Sequence, residues 1–325
     1  MNRYSFCRII SLVVVLLLPA GCAVTTPSDI AGNQTLYRHS PEGDTLLERF
    51  APVFLVEESD RNYNRIGTPA FRKKSADDFK AYIDTSHSTY YALKQEFTIG
   101  EKKYANLIYR IHFPETPFPG LTSGKNVGLL VYITINDREE PLLVSTLHTC
   151  GCYLAIIPTD KFDPAGVPGW WSFDRVDVYG ESLPGLLKTG DDKNPGEKLI
   201  LTIRSKNHRV KDLRFASSED PATQTEASSL KPMDDLTRLP AGSGTLSFFE
   251  TEGVRKGYVR ESHKPLEMAF MSWWAIDPFI GVDKALGPEE VTGRVFYTSL
   301  KFWARRKSNI WNFPTFLEYW GWDLM

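Results

Sequence analysis

VGLLVYITINDREEPLLVSTLHTCGCY, residues 127–153, holds both the pattern that decides the fold and the densest chemistry in the chain. Two apolar runs of strand length flank NDREE (136–140), whose polar composition is that of a hairpin connection. Upstream, KYANLIYRIHF (103–113) alternates, so Ala105, Leu107, Tyr109, Ile111 and Phe113 share one face of an extended segment. His112 falls on the other parity and is expected to face solvent.

The same grammar recurs along the chain. APVFLVE (51–57), CYLAIIP (152–158), FDRVDVYG (173–180), KLILTIRS (198–205), GTLSFFE (244–250) and VRKGYV (254–259) are strand-length runs separated by turn residues. The fold class expected is mainly β, an antiparallel β-sandwich or jelly-roll-like core. Beyond residue 259 the apolar patterns lengthen, and VTGRVFYTSLKFWARRK ends on cations that suit a helix C-terminus, so a C-terminal helical layer is expected. Met268, Met271, Trp273 and Trp274 read as core packing, and WNFPTFLEYWGWDLM either closes the domain or presents an apolar patch. ASSEDPATQTEASSL (216–230) is nearly free of large apolar groups and reads as an exposed loop in a single β-rich domain spanning 46–325.

HTCGCY (148–153) places one imidazole and two thiols within five residues. In an extended strand His148 and Cys152 would stand about 13 Å apart, too far to share an ion, so a bend at Gly151 is required. Three readings fit: a structural or inert pair of cysteines, a zinc or copper site, and thiol exchange. His208, just after a strand, is either a further ligand meeting His148 across a sheet or a solvated turn residue. Asn64 and Arg65, in a Gly- and Pro-punctuated turn, are candidate anion-binding residues, since guanidinium forms bidentate bonds to carboxylate or phosphate.

The chain begins MNRYSFCRIISLVVVLLLPAGC, a basic start, an apolar run and then small residues: an export signal over 1–21, too short in its apolar part to span a bilayer. Leu17 to Cys22, LLPAGC, resembles the lipobox of bacterial lipoproteins, with Pro19 where an aliphatic residue is usual. The resemblance implies that Cys22 is the lipidation site and that acyl chains, palmitate among them, moor the chain. Ala23 lacks the acidic side chain that in that family accompanies inner-membrane retention, which implies an outer-membrane lipoprotein facing the periplasm. Residues 22–45 are then a lipidated N-terminus and flexible tether. With Cys7 and Cys22 so used, Cys150 and Cys152 are the remaining thiols, in an oxidising compartment.

Ala51-Pro52, Gly124 to Gly128, Ser145 to His148 and Ser205 to His208 together resemble the vacuolar protein sorting-associated protein 62 family, which is β-rich. The resemblance implies a β sandwich in which His148 and His208 face one another. Around the glycine segment this chain has Asn126, Leu129, Leu130 and Val131 where the family has His, Asp, Trp and Glu.

With 38 basic and 40 acidic residues the chain offers no cationic surplus for nucleic acid. No G-x-S-x-G elbow, H-E-x-x-H pair, P-loop or dinucleotide fingerprint occurs. The function expected is therefore a non-enzymatic envelope lipoprotein in binding or assembly, with an envelope protein as partner. The alternative is a metal-binding or thiol-redox protein centred on His148, Cys150 and Cys152.

Overall fold

The computed structural model describes residues 33–75, 78–190, 197–217 and 224–324. The leader and Cys22 lie outside the described residues. In chain order the strands are β1 (Thr35–His39), β2 (Val53–Val56), β3 (Thr68–Lys73), β4 (Phe79–Asp84), β5 (Ser88–Ile99), β6 (Lys102–Thr116), β7 (Gly124–Asn136), β8 (Pro141–His148), β9 (Ala155–Pro158), β10 (Arg175–Val178), β11 (Glu181–Pro184), β12 (Glu197–Ile203), β13 (Val210–Ser217), β14 (Gln224–Pro232), β15 (Leu239–Ala241) and β16 (Gly244–Leu246). The helices are α1 (Leu46–Arg49), α2 (Pro265–Ala275), α3 (Glu289–Thr292) and α4 (Phe313–Trp320).

Ten strands form one sheet in the order β13-β12-β2-β1-β14-β5-β6-β7-β8-β9. The chain is mainly β with a sandwich-like core, as the alternation predicts. From β5 to β9 the sheet is an antiparallel meander. The 136–140 turn makes the expected hairpin: Asn136 Oδ1 accepts from the amides of Arg138 and Glu140, and Glu139 takes the left-handed conformation. The other half of the sheet is mixed, since β14 pairs in parallel with β1 and β5, and β12 in parallel with β2.

Both faces of the meander are covered. One carries Leu107, Tyr109, Ile111 and Phe113 of β6 beside Leu129, Val131 and Ile133 of β7. The other carries Ile108, Leu130, Tyr132 and Leu143 against the C-terminal segment, including Phe313, Phe316 and Leu317 of α4. Strands buried on both faces read as continuous apolar runs. His112 is accordingly fully buried and not at the surface, because its face of the sheet is roofed by the chain's own C-terminal third.

Three boundaries differ from the sequence reading. Thr35–His39 is a sheet strand, so the ordered body starts within the expected tether. Gln224–Pro232 of the expected 216–230 loop is β14, held by main-chain ladders on both sides and by the Ser88–Ser228 hydroxyl pair at 2.7 Å, which compensate for its sparse apolar side chains. Residues 218–223 lie outside the described residues. The 291–307 stretch, expected to be helical, carries only the end of α3 and a 3-10 turn at Phe302–Ala304, and a Tyr297–Asn309 bridge closes it on itself. The terminal aromatic stretch does close the domain: Phe313 packs on Phe97 and stacks on Tyr132, with ring centroids 5.3 and 5.8 Å apart.

Candidate functional site

Strand β8 ends at His148, and the chain then folds back at once. Gly151 N donates to His148 O at 2.8 Å, and His148 N to Cys152 O at 2.9 Å. Gly151 has φ 97°, and a Cβ there would sit 2.2 Å from the Tyr297 carbonyl oxygen, so no other residue fits this turn. The bend brings the donor atoms of His148, Cys150 and Cys152 within 4.8 Å of one another. Cys150 and Cys152 are joined as a disulfide, with Cα atoms 5.7 Å apart. Reduced, the loop would offer two thiolates and an imidazole, three of the four ligands that zinc takes in structural sites.

His148 Nε2 donates to the main-chain carbonyl of His208 at 3.1 Å. That bond fixes the tautomer and leaves the lone pair on Nδ1. His208 is buried too, stacked on Phe113 with centroids 4.0 Å apart, and its own Nε2 donates to Tyr63 O at 2.9 Å. The two histidines thus meet through the backbone of His208, and among the described residues the cluster of donor atoms takes in His148 and the cysteines without His208. Asn64 belongs to the same clasp: its Nδ2 donates to Glu58 O at 3.0 Å and its Oδ1 accepts from Lys206 N at 2.8 Å. Being fully buried, it has no face for an anion. Arg65 is committed to Glu226 at 3.3 Å.

Behind the loop lies a buried ionic layer that the sequence reading missed. Lys284 Nζ donates to Cys150 O at 2.6 Å and lies 4.5 Å from the Tyr297 ring centroid. Arg110, fully buried, donates from Nε to His112 Nε2 at 3.0 Å and from Nη1 to Lys284 O at 2.8 Å. Asp283 accepts from Thr149 and Ser262 and faces Lys264 Nζ at 3.8 Å. Burial pushes Lys284 down to about 8 and Arg110 down to about 10. The available signal was a cation in the middle of an otherwise apolar strand, at Arg110.

On its outer side the loop opens onto an aromatic cleft. Tyr153 packs edge-on against His148 and against Tyr179, at 4.7 and 5.1 Å. The hairpin β10–β11 that carries Tyr179 is clamped by Glu181, buried and paired with Arg204 at 2.6 and 2.7 Å. The cleft has a volume of about 330 Å³ and is walled by Trp170, Trp171, Trp320 and Trp322, with Tyr179 and Asp177 at its edge. Trp320 Nε1 donates to Thr298 Oγ1 at 3.0 Å and Trp171 Nε1 to Gly185 O at 2.9 Å, so these two indoles are held in place, with Trp170 exposed and Trp322 buried in the core. Wider concavities of about 750, 610 and 460 Å³ exist, and none of them is lined by a tryptophan.

Burial sends His148 and His208 down to about 3, with Lys264 and Arg209 adding to the shift at His148 and the His148 ring adding to that at His208. His112 is driven well below the usual histidine range by burial and by Arg110. An unfolded chain takes up protons near pH 6.5 where the folded one does not, so stability is complete above that pH and falls as pH drops towards 3. Denaturant melts should show this decline, and His208→Asn, which tolerates the left-handed backbone of residue 208, should reduce its slope by about one proton, roughly 1.4 kcal/mol per pH unit. An unchanged slope would mean that His208 is protonated in the folded state.

Comparison with models of known families, with curated proteins and with solved structures finds no match for this chain.

Proposed function

We propose that the chain is an outer-membrane lipoprotein, acylated at Cys22 and facing the periplasm, that binds a saccharide-like ring in its tryptophan cleft. The observation that carries the binding role is the convergence of four indoles and Tyr179 on a cleft of about 330 Å³ beside a carboxylate. That volume is at the lower end for small-molecule sites. Indole faces pack well against the C–H face of a pyranose, while the Asp177 carboxylate accepts hydrogen bonds from hydroxyls and disfavours anions. The LLPAGC stretch supports the anchored, periplasm-facing placement. An envelope protein partner is compatible with this role, and nucleic acid is not.

Two experiments test this reading. Titrating the protein with tri-N-acetylchitotriose should give a saturable change in tryptophan fluorescence, and Trp170→Ala or Trp320→Ala should weaken binding by at least about tenfold. A flat titration would reject the saccharide assignment. Intact-mass analysis of the membrane-extracted protein should show a chain that starts at Cys22 and carries acyl chains, and an unacylated chain would reject acylation as the anchor.

The 4.8 Å grouping of His148, Cys150 and Cys152 favours a second reading, a soft-metal site that the disulfide closes and reduction opens. Zinc or Cu(I) titrated into the reduced protein should bind at about one equivalent and fail to bind to Cys150→Ser/Cys152→Ser. Equal uptake by both proteins would eliminate the site.

A further inference from the structure

Helix α2, PLEMAFMSWWA, is built inside out. A surface helix ordinarily turns its apolar stripe to the core and its charges to water. Here Glu267 and the preceding Lys264 are buried, while Phe270, Trp273 and Trp274 are 66, 76 and 58% exposed, followed by Ile276 at 60%. The expectation that Trp273 and Trp274 pack the core is therefore reversed. The cause lies underneath: Lys264 faces Asp283, and Glu267 lies against Gly281, where a Cβ would come within 2.3 Å of the carboxylate. The ionic layer claims the inner side of the helix and turns the aromatic side outwards.

Further exposed apolar residues lie on segments beside both helix ends. Gly124 lies against His263 and Lys264, which sets the 117–123 loop, with exposed Phe118 and Leu121, beside the start of α2. Arg305 donates to the carbonyls of Ala275 and Ile276, which sets KFWARRK (301–307), with exposed Phe302 and Trp303, beside its end. That second segment is basic. Arg306 meets Glu289 at 3.2 Å, and Lys301 and Lys307 have no carboxylate partner among the described residues.

Large exposed aromatic side chains gathered on neighbouring segments mark an interaction site. Its chemistry selects the partner. None of the concavities described above is lined by a residue of α2 or of 301–307. Tryptophan and phenylalanine beside lysine and arginine suit the boundary between acyl chains and anionic headgroups, where indole sits at headgroup depth and each nearby cation is attracted to the surface. We propose that α2, flanked by the 117–123 and 301–307 segments, is a docking face that inserts its aromatic side chains into the surface of an anionic bilayer. This contact is separate from any acyl anchor: it sets which side of the body lies against the membrane.

The test uses the full chain on vesicles of phosphatidylcholine with brominated acyl chains and about 30% phosphatidylglycerol. Bromine quenches only tryptophans that enter the bilayer, so the readout is independent of how the N-terminus attaches. Wild-type fluorescence should be quenched, and Trp273→Phe/Trp274→Phe, which keeps the surface aromatic, should lose about half of that quenching or more, whereas Trp170→Phe/Trp320→Phe should keep it. Lys301→Glu/Lys307→Glu, or vesicles without phosphatidylglycerol, should weaken the quenching severalfold. Absence of quenching in the wild type, or quenching unaltered in Trp273→Phe/Trp274→Phe, would overturn the proposal. Absence of quenching together with dimers in light scattering that Trp273→Glu dissociates would overturn it in favour of a second copy as the occupant.

Discussion

The guanidinium of Arg110 lies with no exposure between the sheet and the C-terminal layer, and its bonds to His112 and to the carbonyl of Lys284 join the two. A buried cation without partners is costly enough that the surrounding structure must be arranged around it. Here the arrangement is specific. The carbonyl of Lys284 receives Arg110, the ammonium of Lys284 is taken up by the carbonyl of Cys150, and the preceding residue, Asp283, holds Thr149, Ser262 and Lys264. The cysteine loop, the entry to α2 and the second face of the sheet are therefore registered against one another by a few polar contacts in a setting otherwise filled by aromatic side chains.

How much of this was legible in the sequence depended on range. Local periodicity gave the meander faithfully: the shared parity of Ala105 to Phe113, the turn at 136–140 and the need for a bend at Gly151 are all as read, because each is governed by neighbours in the chain. The errors arose where distant segments decide. His112 looks solvent-facing until residues beyond 232 cover it. Gln224–Pro232 looks like a loop because a strand held by ladders on both sides needs little hydrophobic side chain of its own. Trp273 and Trp274 look like core until Lys264 and Glu267 are found to occupy the inner side of the same helix.

The candidate site shows the same division. HTCGCY stood out as a cluster of donors, and the fold does bring three of them together. The cleft beside it was not visible, since Trp170 and Trp171 come from one loop, Trp320 and Trp322 from the C-terminus, and Tyr179 from a hairpin more than a hundred residues earlier. Indoles scattered over 150 residues carry no local signature. Only the closing of α4 over the sheet, near β9 and the β10–β11 hairpin, makes them one surface.

Strand β14 has a consequence for the order in which the molecule can assemble. It alone bridges β1 and β5, so until residue 232 has been made the sheet exists as two unjoined halves with bare hydrogen-bonding edges. Pairings of such long sequence separation are slow to form, because loop closure must precede any gain from contact. A polypeptide with this topology carries two unfinished sheet edges until residue 232 has been made, a hazard wherever other unfinished chains are near.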